Sequence, residues 1–304
     1  MDFFVKKIRT FSIVDNVSFI YLIIITVLSF FSLSRTPYQT EIIVLLLFLY
    51  IFLFSMAGLR HREGKNQTFK KLLMFIYPVF FIVVIFESFF MILPYFNTNR
   101  YDAVMAAIDL KLLGVNPTVW IEQFITPWLT EILYFSYSIY FPMPLIIVGW
   151  LYKKNMLREI AEIFLIFLLC YYIAYIIYFI VPVQGPRFYL ADLQQTPLTG
   201  VLFSESIRNL INLMEPNKLD AFPSLHAAIL LLTMLTAKRY NRLIYLIFLP
   251  ISILITISLV YLRYHYVIDV IVGFVLALIT WYAGGWIYGK YAQYFSFHFD
   301  RRKT

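Results

Sequence analysis

The sequence predicts an all-α integral membrane protein with about eight transmembrane helices, and three observations predict it. Of its 304 residues, 62% are hydrophobic and only 14% charged, which excludes an ordinary soluble domain. The apolar residues gather in runs long enough for a bilayer, which takes about 20 helical residues at about 1.5 Å rise each. Basic residues concentrate in alternate gaps between those runs. The runs lie near 17–34, 41–59, 72–94, 130–152, 160–182, 222–237, 243–262 and 266–289.

The gaps fix the orientation. With the N-terminus in the cytoplasm, inside segments carry Lys6, Lys7 and Arg9, then Arg60, Arg62, Lys65, Lys70 and Lys71, then Lys153, Lys154 and Arg158, then Lys238, Arg239 and Arg242, and last Lys290, Arg301, Arg302 and Lys303. Outside segments keep only Arg35, Arg100, Lys111, Arg187, Arg208, Lys218 and Arg263. Both termini are therefore expected in the cytoplasm. The net charge of +8 is explained by cytoplasmic loops facing anionic headgroups and calls for no nucleic-acid partner.

Each element can be justified in order. The N-terminal basic stretch and apolar run lack a following small-residue cleavage site, so the first run is expected to stay as a helix. The third run holds Glu87, which is costly in lipid and should face the bundle interior or a polar cavity. Residues 95–129 should form two short helices. Asn99 and Asp102 resemble a capping box for the first, Gly114 and Pro117 end it, Asn116-Pro117 opens the second, and Thr126-Pro127 opens the fourth membrane helix. Val104, Met105, Ile108, Leu112 and Leu113 give the first of these helices an interfacial character, as a wall or lid over a lipid site. Cys170, the single cysteine, reads as a small core residue in the fifth run. The second long connection, 183–221, shares the outer face with 95–129, and loops of this length are usually functional. The 24 Tyr and 31 Phe read as interfacial belts and lipid-facing packing.

Candidate chemistry gathers on that outer face. His265 and Asp269, four apart at the start of the last run, share a helix face. The carboxylate can take a proton from one imidazole nitrogen and leave the other free to attack phosphorus, or the pair can simply close a helix end. His226 starts the sixth run behind Pro223 and Ser224, residue types suited to a helix start, where free amides and a hydroxyl can bind phosphate. Its imidazolium can protonate a leaving oxygen, while Ser224 can equally be a cap and nothing more. Arg187 follows Gly185-Pro186 in a rigid turn, where a guanidinium can grip two phosphate oxygens or can snorkel at the membrane edge. Arg263 adds a second positive charge two residues before His265. Asp109 can orient or cap the interfacial helix or bind a sugar hydroxyl, with the structural role favoured. His61 and His298 read as polar surface in cytoplasmic segments.

The order Arg187, Ser224-x-His226 and His265-x-x-x-Asp269 on membrane helices resembles the type-2 phosphatidic acid phosphatase superfamily. That resemblance implies a six-helix core over 72–289, behind an N-terminal hairpin and loop at 1–71 and before a basic cytoplasmic tail at 290–304. It implies metal-independent phosphoryl transfer without a cofactor: His265 as nucleophile, Asp269 as its orienting partner, His226 as general acid, Arg187 and Ser224 as phosphate binders. Two motifs depart from the superfamily pattern. Ile180 and Phe188 stand where its first motif has lysine and proline, and Leu259 stands where its third has arginine, a charge that Arg263 is expected to supply by another route. Asp109-Leu-Lys-Leu-Leu-Gly114-Val-Asn-Pro117, Phe222-Pro-Ser-Leu-His226 with Leu225 in place of the usual glycine, and His265-Tyr-Val-Ile-Asp269 are similar to the inositol phosphorylceramide synthase branch. That branch moves phosphoinositol from phosphatidylinositol to a ceramide hydroxyl.

Three functions compete. A transferase passes the group from a phospholipid donor to a lipid hydroxyl, whereas a lipid phosphate or polyprenyl (pyro)phosphate phosphatase passes it to water through the same residues. A transporter would spread polar groups across membrane depth, whereas here, Glu87 apart, they cluster at one face. A metal site fits poorly, because His226, His265 and Asp269 stand with two arginines, a set suited to an anion. The expected setting is a bacterial inner membrane or eukaryotic endomembrane, with the site on the extracytoplasmic or lumenal face.

Overall fold

The computed structural model of the chain describes residues 11–61, 67–214 and 218–291. In chain order its principal helices are α1 (Ile13–Leu33), α2 (Gln39–His61), α3 (Gln67–Phe96), α4 (Asp102–Leu113), α5 (Pro117–Trp120, continued by a 3-10 turn Ile121–Phe124), α6 (Pro127–Ile139) and α7 (Pro142–Lys153). They continue with α8 (Leu157–Ile180), α9 (Pro186–Tyr189), α10 (Ser204–Met214), α11 (Leu225–Tyr240), α12 (Arg242–Tyr261) and α13 (Val267–Tyr291). Among the described residues the β structure is confined to an isolated bridge between Val183 and Asp220. Among the described residues seven spans are long and apolar enough to cross a bilayer: α1, α2, α3, α6 with α7, α8, α12 and α13. The bent pair α4–α5, angled by 68°, makes an eighth if it counts as one. The protein is an all-α integral membrane protein.

Local sequence explains most boundaries. Gly114 adopts a left-handed conformation at φ 74°, and its N–H closes α4 on the Leu110 carbonyl. The Thr126 hydroxyl caps α6 by accepting the Leu129 N–H at 3.3 Å. The capping box expected at Asn99 and Asp102 does not form. Tyr101 is the N-cap, and the Asp102 carboxylate serves a distant turn instead. The fourth span is interrupted at Tyr140 and Phe141, where Pro142 begins α7. The expected sixth span starts later than 222, and α11 has only 16 residues. It needs no bilayer-length apolar surface, because Ala227, Ala228, Ile229, Leu232 and Thr236 among others are buried against neighbouring helices.

The chain forms two compact units. The first holds α1–α3 with residues 161–172 of α8 and the part of α13 from Thr280. Here Ser12 and Asp15 form a reciprocal capping box, Tyr77 donates to the Asp15 carboxylate, and Tyr21 stacks on Tyr172 at 4.0 Å. Cys170 is buried in this unit, as expected of a core residue, and Glu87 is partly buried on α3. By contacts α3 goes with α1 and α2, which divides the chain differently from the expected 1–71, 72–289 and 290–304. The side chain of His61, all of His298 and the tail beyond Tyr291 lie outside the described residues.

The second unit comprises residues 97–160 and 173–279 and contains both histidine motifs. In it α12 packs against α6 and α11, α11 against α7, and α10 against α6. α4 exposes Val104, Leu112 and Leu113 and buries Met105 and Asp109. Tyrosine behaves otherwise than expected. Tyr134, Tyr137, Tyr175, Tyr178, Tyr261 and Tyr266 are fully buried, and several spend their hydroxyls inside the protein, as Tyr261 does on Thr130 at 2.9 Å. A phenol can fill a core and still satisfy its polar end, so an aromatic-rich sequence does not by itself mean a lipid-facing belt.

Candidate active site

His265 sits in the sharp turn between α12 and α13. The Leu259 carbonyl accepts the N–H groups of both Tyr264 and His265, at 3.1 and 3.0 Å, and Arg263 takes a positive φ of 64°. The first amides of α13 are then satisfied by side chains, as an exposed helix N-terminus requires. Asp109 accepts the N–H groups of Val267 and Ile268 at 2.8 and 2.9 Å, and Asp269 accepts that of Tyr266 at 2.9 Å. The imidazole above them is buried at 4% exposure. Its Nδ1 stands 2.9 Å from the Ala221 carbonyl. A carbonyl can only accept, so Nδ1 carries the proton and Nε2 keeps a lone pair. The expected hydrogen bond from His265 to Asp269 is thus made to Ala221 instead. The Asp269 carboxylate lies 3.7 Å from Nδ1, near enough to act on the ring by charge.

His226 begins α11. The Ser224 hydroxyl caps this helix by accepting the Ala227 N–H at 3.2 Å, and the Ser224 N–H donates to the Asp269 carbonyl at 3.0 Å. The two histidine motifs are thereby tied backbone to backbone. Gly273 on α13 permits the approach, since a Cβ there would fall 2.4 Å from the Ser224 carbonyl oxygen. His226 presents Nδ1 to His265 Nε2 at 3.3 Å and Nε2 to the Tyr137 hydroxyl at 2.8 Å. The rings of Tyr140 and Phe141 flank it at 4.8 and 6.3 Å.

Arg187 is delivered by a strained turn. Gly185 has φ 96°, and a Cβ on it would lie 2.7 Å from the Tyr264 carbonyl oxygen, so both conformation and space demand glycine. The Asp102 carboxylate accepts the N–H groups of Gln184 and Gly185 at 3.1 and 2.9 Å, and the Arg187 N–H donates to the Arg263 carbonyl at 3.0 Å. The guanidinium lies over the Tyr264 ring at 4.6 Å and donates to Asn212 at 3.3 Å. Tyr264 in turn stacks on Tyr137 at 4.9 Å. Arg187 and His226 therefore approach one aromatic shelf from its two ends.

Arg263 is placed otherwise than expected of a phosphate ligand. Its guanidinium donates to Glu122 at 2.7 Å and to the Thr196 carbonyl at 2.6 Å. Burial lowers its pKa from the ordinary arginine value, and the adjacent Glu122 opposes that shift. A two-residue offset from His265, together with the reversed φ at Arg263, turns this side chain toward α5. Asp109 commits both carboxylate oxygens to the α13 amides, which favours structure over sugar binding. Among the described residues, no three His, Cys, Asp or Glu side chains are grouped to hold a metal ion.

A family model described as PAP2 superfamily matches residues 108–283, from within α4 into α13. The chain belongs to the PAP2 superfamily. The match takes in every candidate site residue named above, from Asp109 to Asp269, and membership makes this protein an enzyme of the lipid phosphatase or phosphotransferase type. Comparison with curated proteins and with solved structures gives no match.

Four site-building residues of this PAP2 member escaped the sequence reading. Tyr137 was one of many tyrosines, although Tyr134, Tyr137 and Tyr140 recur at a spacing of three along a helix, which brings them toward one face. Asp102 and Glu122 pin the second long connection to the first, and Glu131 pins it to α6. Asp102 holds residues 184–185, Glu122 accepts the N–H groups of Gln195 and Thr196 at 3.2 Å each, and Glu131 accepts those of Val201, Leu202, Phe203 and Ser204 between 2.6 and 3.2 Å. Their partners are backbone amides some 70 to 80 residues away, which leave no mark in local spacing.

Proposed function

We propose that the protein transfers a phosphoryl or phosphoalcohol group, phosphoinositol in first place, from a phospholipid donor to a lipid hydroxyl through a phosphohistidine on His265. The observation that carries this reading is the contact of His265 Nδ1 with the Ala221 carbonyl, which assigns the tautomer of the neutral ring. Its Nδ1 proton is committed to the Ala221 carbonyl at 2.9 Å, so the lone pair on Nε2 points toward His226. A nucleophile needs that lone pair, and a general acid must stand beside the leaving oxygen. His226 is the acid, and Arg187 and the Ser224 hydroxyl bind phosphate. Asp269 stabilises the positive phosphohistidine by charge at 3.7 Å. The reading assigns no role to a metal or cofactor and leaves Arg263 as a brace rather than a ligand.

The branch similarity of Phe222-Pro-Ser-Leu-His226 and the Asp109–Pro117 stretch supports phosphoinositol and a ceramide-like acceptor. Basic loops support cytoplasmic termini and an extracytoplasmic or lumenal site. In the test, purified protein in detergent is given phosphatidylinositol labelled in its headgroup, with and without ceramide or diacylglycerol, and the lipid products are separated. A new labelled lipid that requires the acceptor and is lost in His265→Ala is the expected result. Water-soluble phosphoinositol or phosphate, indifferent to acceptor, would replace the transferase with a phosphatase.

A further inference from the structure

The polar chain through the two histidines has a direction. The Ala221 carbonyl accepts from His265 Nδ1, so neutral His265 has a bare Nε2. That nitrogen can only accept, and its neighbour at 3.3 Å is His226 Nδ1, which must then be protonated. A neutral His226 protonated on Nδ1 has a bare Nε2 in turn, and the Tyr137 hydroxyl at 2.8 Å must donate to it. The Ala221 carbonyl at one end and the Tyr137 hydroxyl at the other thus set the order of protons along this polar chain together. Tyr137 is fully buried, held by stacking on Tyr264 at 4.9 Å with the rings 25° apart.

We propose that Tyr137 is a positioning residue for the general acid, setting which nitrogen of His226 carries the transferable proton. The proposal rests on His226 acting as that acid. A hydroxyl both donates and accepts, so it can serve His226 in each protonation state. At rest Tyr137 donates to Nε2 of the neutral ring. When His226 takes up a second proton from water and becomes an imidazolium, the Nε2–H donates to the Tyr137 oxygen and the Nδ1–H faces the reacting phosphate.

In the transfer step the bond from His265 Nε2 to phosphorus forms and the bond from phosphorus to the leaving oxygen breaks. That oxygen takes the Nδ1 proton of His226, leaving a neutral ring that retains Nε2–H on Tyr137. In the second step Nδ1 takes the proton of the attacking alcohol or water, and the imidazolium is restored. Without the hydroxyl Nε2 loses its donor in the resting ring and its acceptor in the imidazolium, so the resting proton is no longer held on Nδ1. The titratable and charged groups facing His226 include Tyr137, Tyr140, His265 and Arg187.

The test reads tautomers and turnover separately. Protein carrying 15N-histidine in lipid bilayers has four histidines, and His61→Gln and His298→Gln remove the signals of the two outside this site. Above the titration range, solid-state 15N spectra should show both His226 and His265 protonated on Nδ1. In Tyr137→Phe, which keeps the ring, His265 should be unchanged while His226 gains an Nε2–H form. A wild-type His226 protonated on Nε2 overturns the proposal even if the variant does not fold, and so does a variant spectrum identical to wild type.

In turnover, Tyr137→Phe should lower kcat on short-chain phosphatidic acid about tenfold or more, and on p-nitrophenyl phosphate less than about threefold, with KM held and the pH profile displaced. Equal losses on both, with an unmoved profile, would mean that Tyr137 only packs. If wild-type protein turns over neither phosphate, the tautomer spectra alone judge the role of Tyr137, while the proposed function is judged separately by acceptor-dependent transfer from phosphatidylinositol.

Discussion

His226 Nδ1 and His265 Nε2 face each other at 3.3 Å, with no room between them for a phosphate. A phosphate that enters here must therefore separate the two rings, and under the proposed function the two nitrogens then border the same phosphorus. His265→Ala should abolish a covalent intermediate trapped by rapid acid quench. His226→Ala should still form it, with turnover of a lipid phosphate down about 10²–10⁴-fold and of an activated phenyl phosphate far less. Equal losses on both substrates would remove His226 from the acid role.

Asp109 acts on the nucleophile at one remove, by holding the first amides of its helix. Asp109→Ala should cost about 1–3 kcal/mol of stability, since two buried donors lose their acceptor, and Asp109→Asn about half as much. Thermal unfolding in detergent measures this. kcat should fall with KM little changed, because the residue meets α13 and not the substrate; a raised KM with normal stability would favour sugar binding instead.

For Arg263 and Glu122 the prediction concerns a pair, each side chain only 12% exposed. Breaking it from either side leaves an uncompensated, largely buried charge and should cost on the order of 2–3 kcal/mol. Arg263→Met with Glu122→Leu should recover part of that loss. A double-mutant cycle on stability tests it, and a phosphate-binding Arg263 would instead show a KM effect that Glu122 variants do not share.

Gly185→Ala combines a positive φ with a 2.7 Å approach to a backbone carbonyl. Strain of about 1–3 kcal/mol should shift the turn and misplace Arg187, lowering kcat/KM by about tenfold or more. Inorganic phosphate or vanadate inhibition should weaken in parallel, and unchanged inhibition would detach Arg187 from phosphate binding.

The legible part of the sequence was what repeats or sits side by side. Apolar runs gave the spans, Gly114 and Thr126 marked helix ends, and the proximity of Ser224 to His226 and of His265 to Asp269 marked the site. The illegible part was direction. Nothing in the spacing of His265 and Asp269 tells that a carbonyl at Ala221 takes the hydrogen bond, because Ala221 lies 44 residues away and contributes only backbone. Arg263 misled for a related reason, since its place beside His265 in sequence says nothing of a reversed φ that turns it to Glu122.

Asp109 also sets an order of events during synthesis. It leaves the ribosome 158 residues ahead of the Val267 amide it caps. Asp102 and Glu131 likewise precede their partners by some 70 to 80 residues. The first connecting segment is thus made early with its acceptors unfilled, and the nucleophile's turn cannot set until the last helix has arrived. The imidazole of His265 therefore gains its hydrogen-bonded setting only at the end of the chain's assembly.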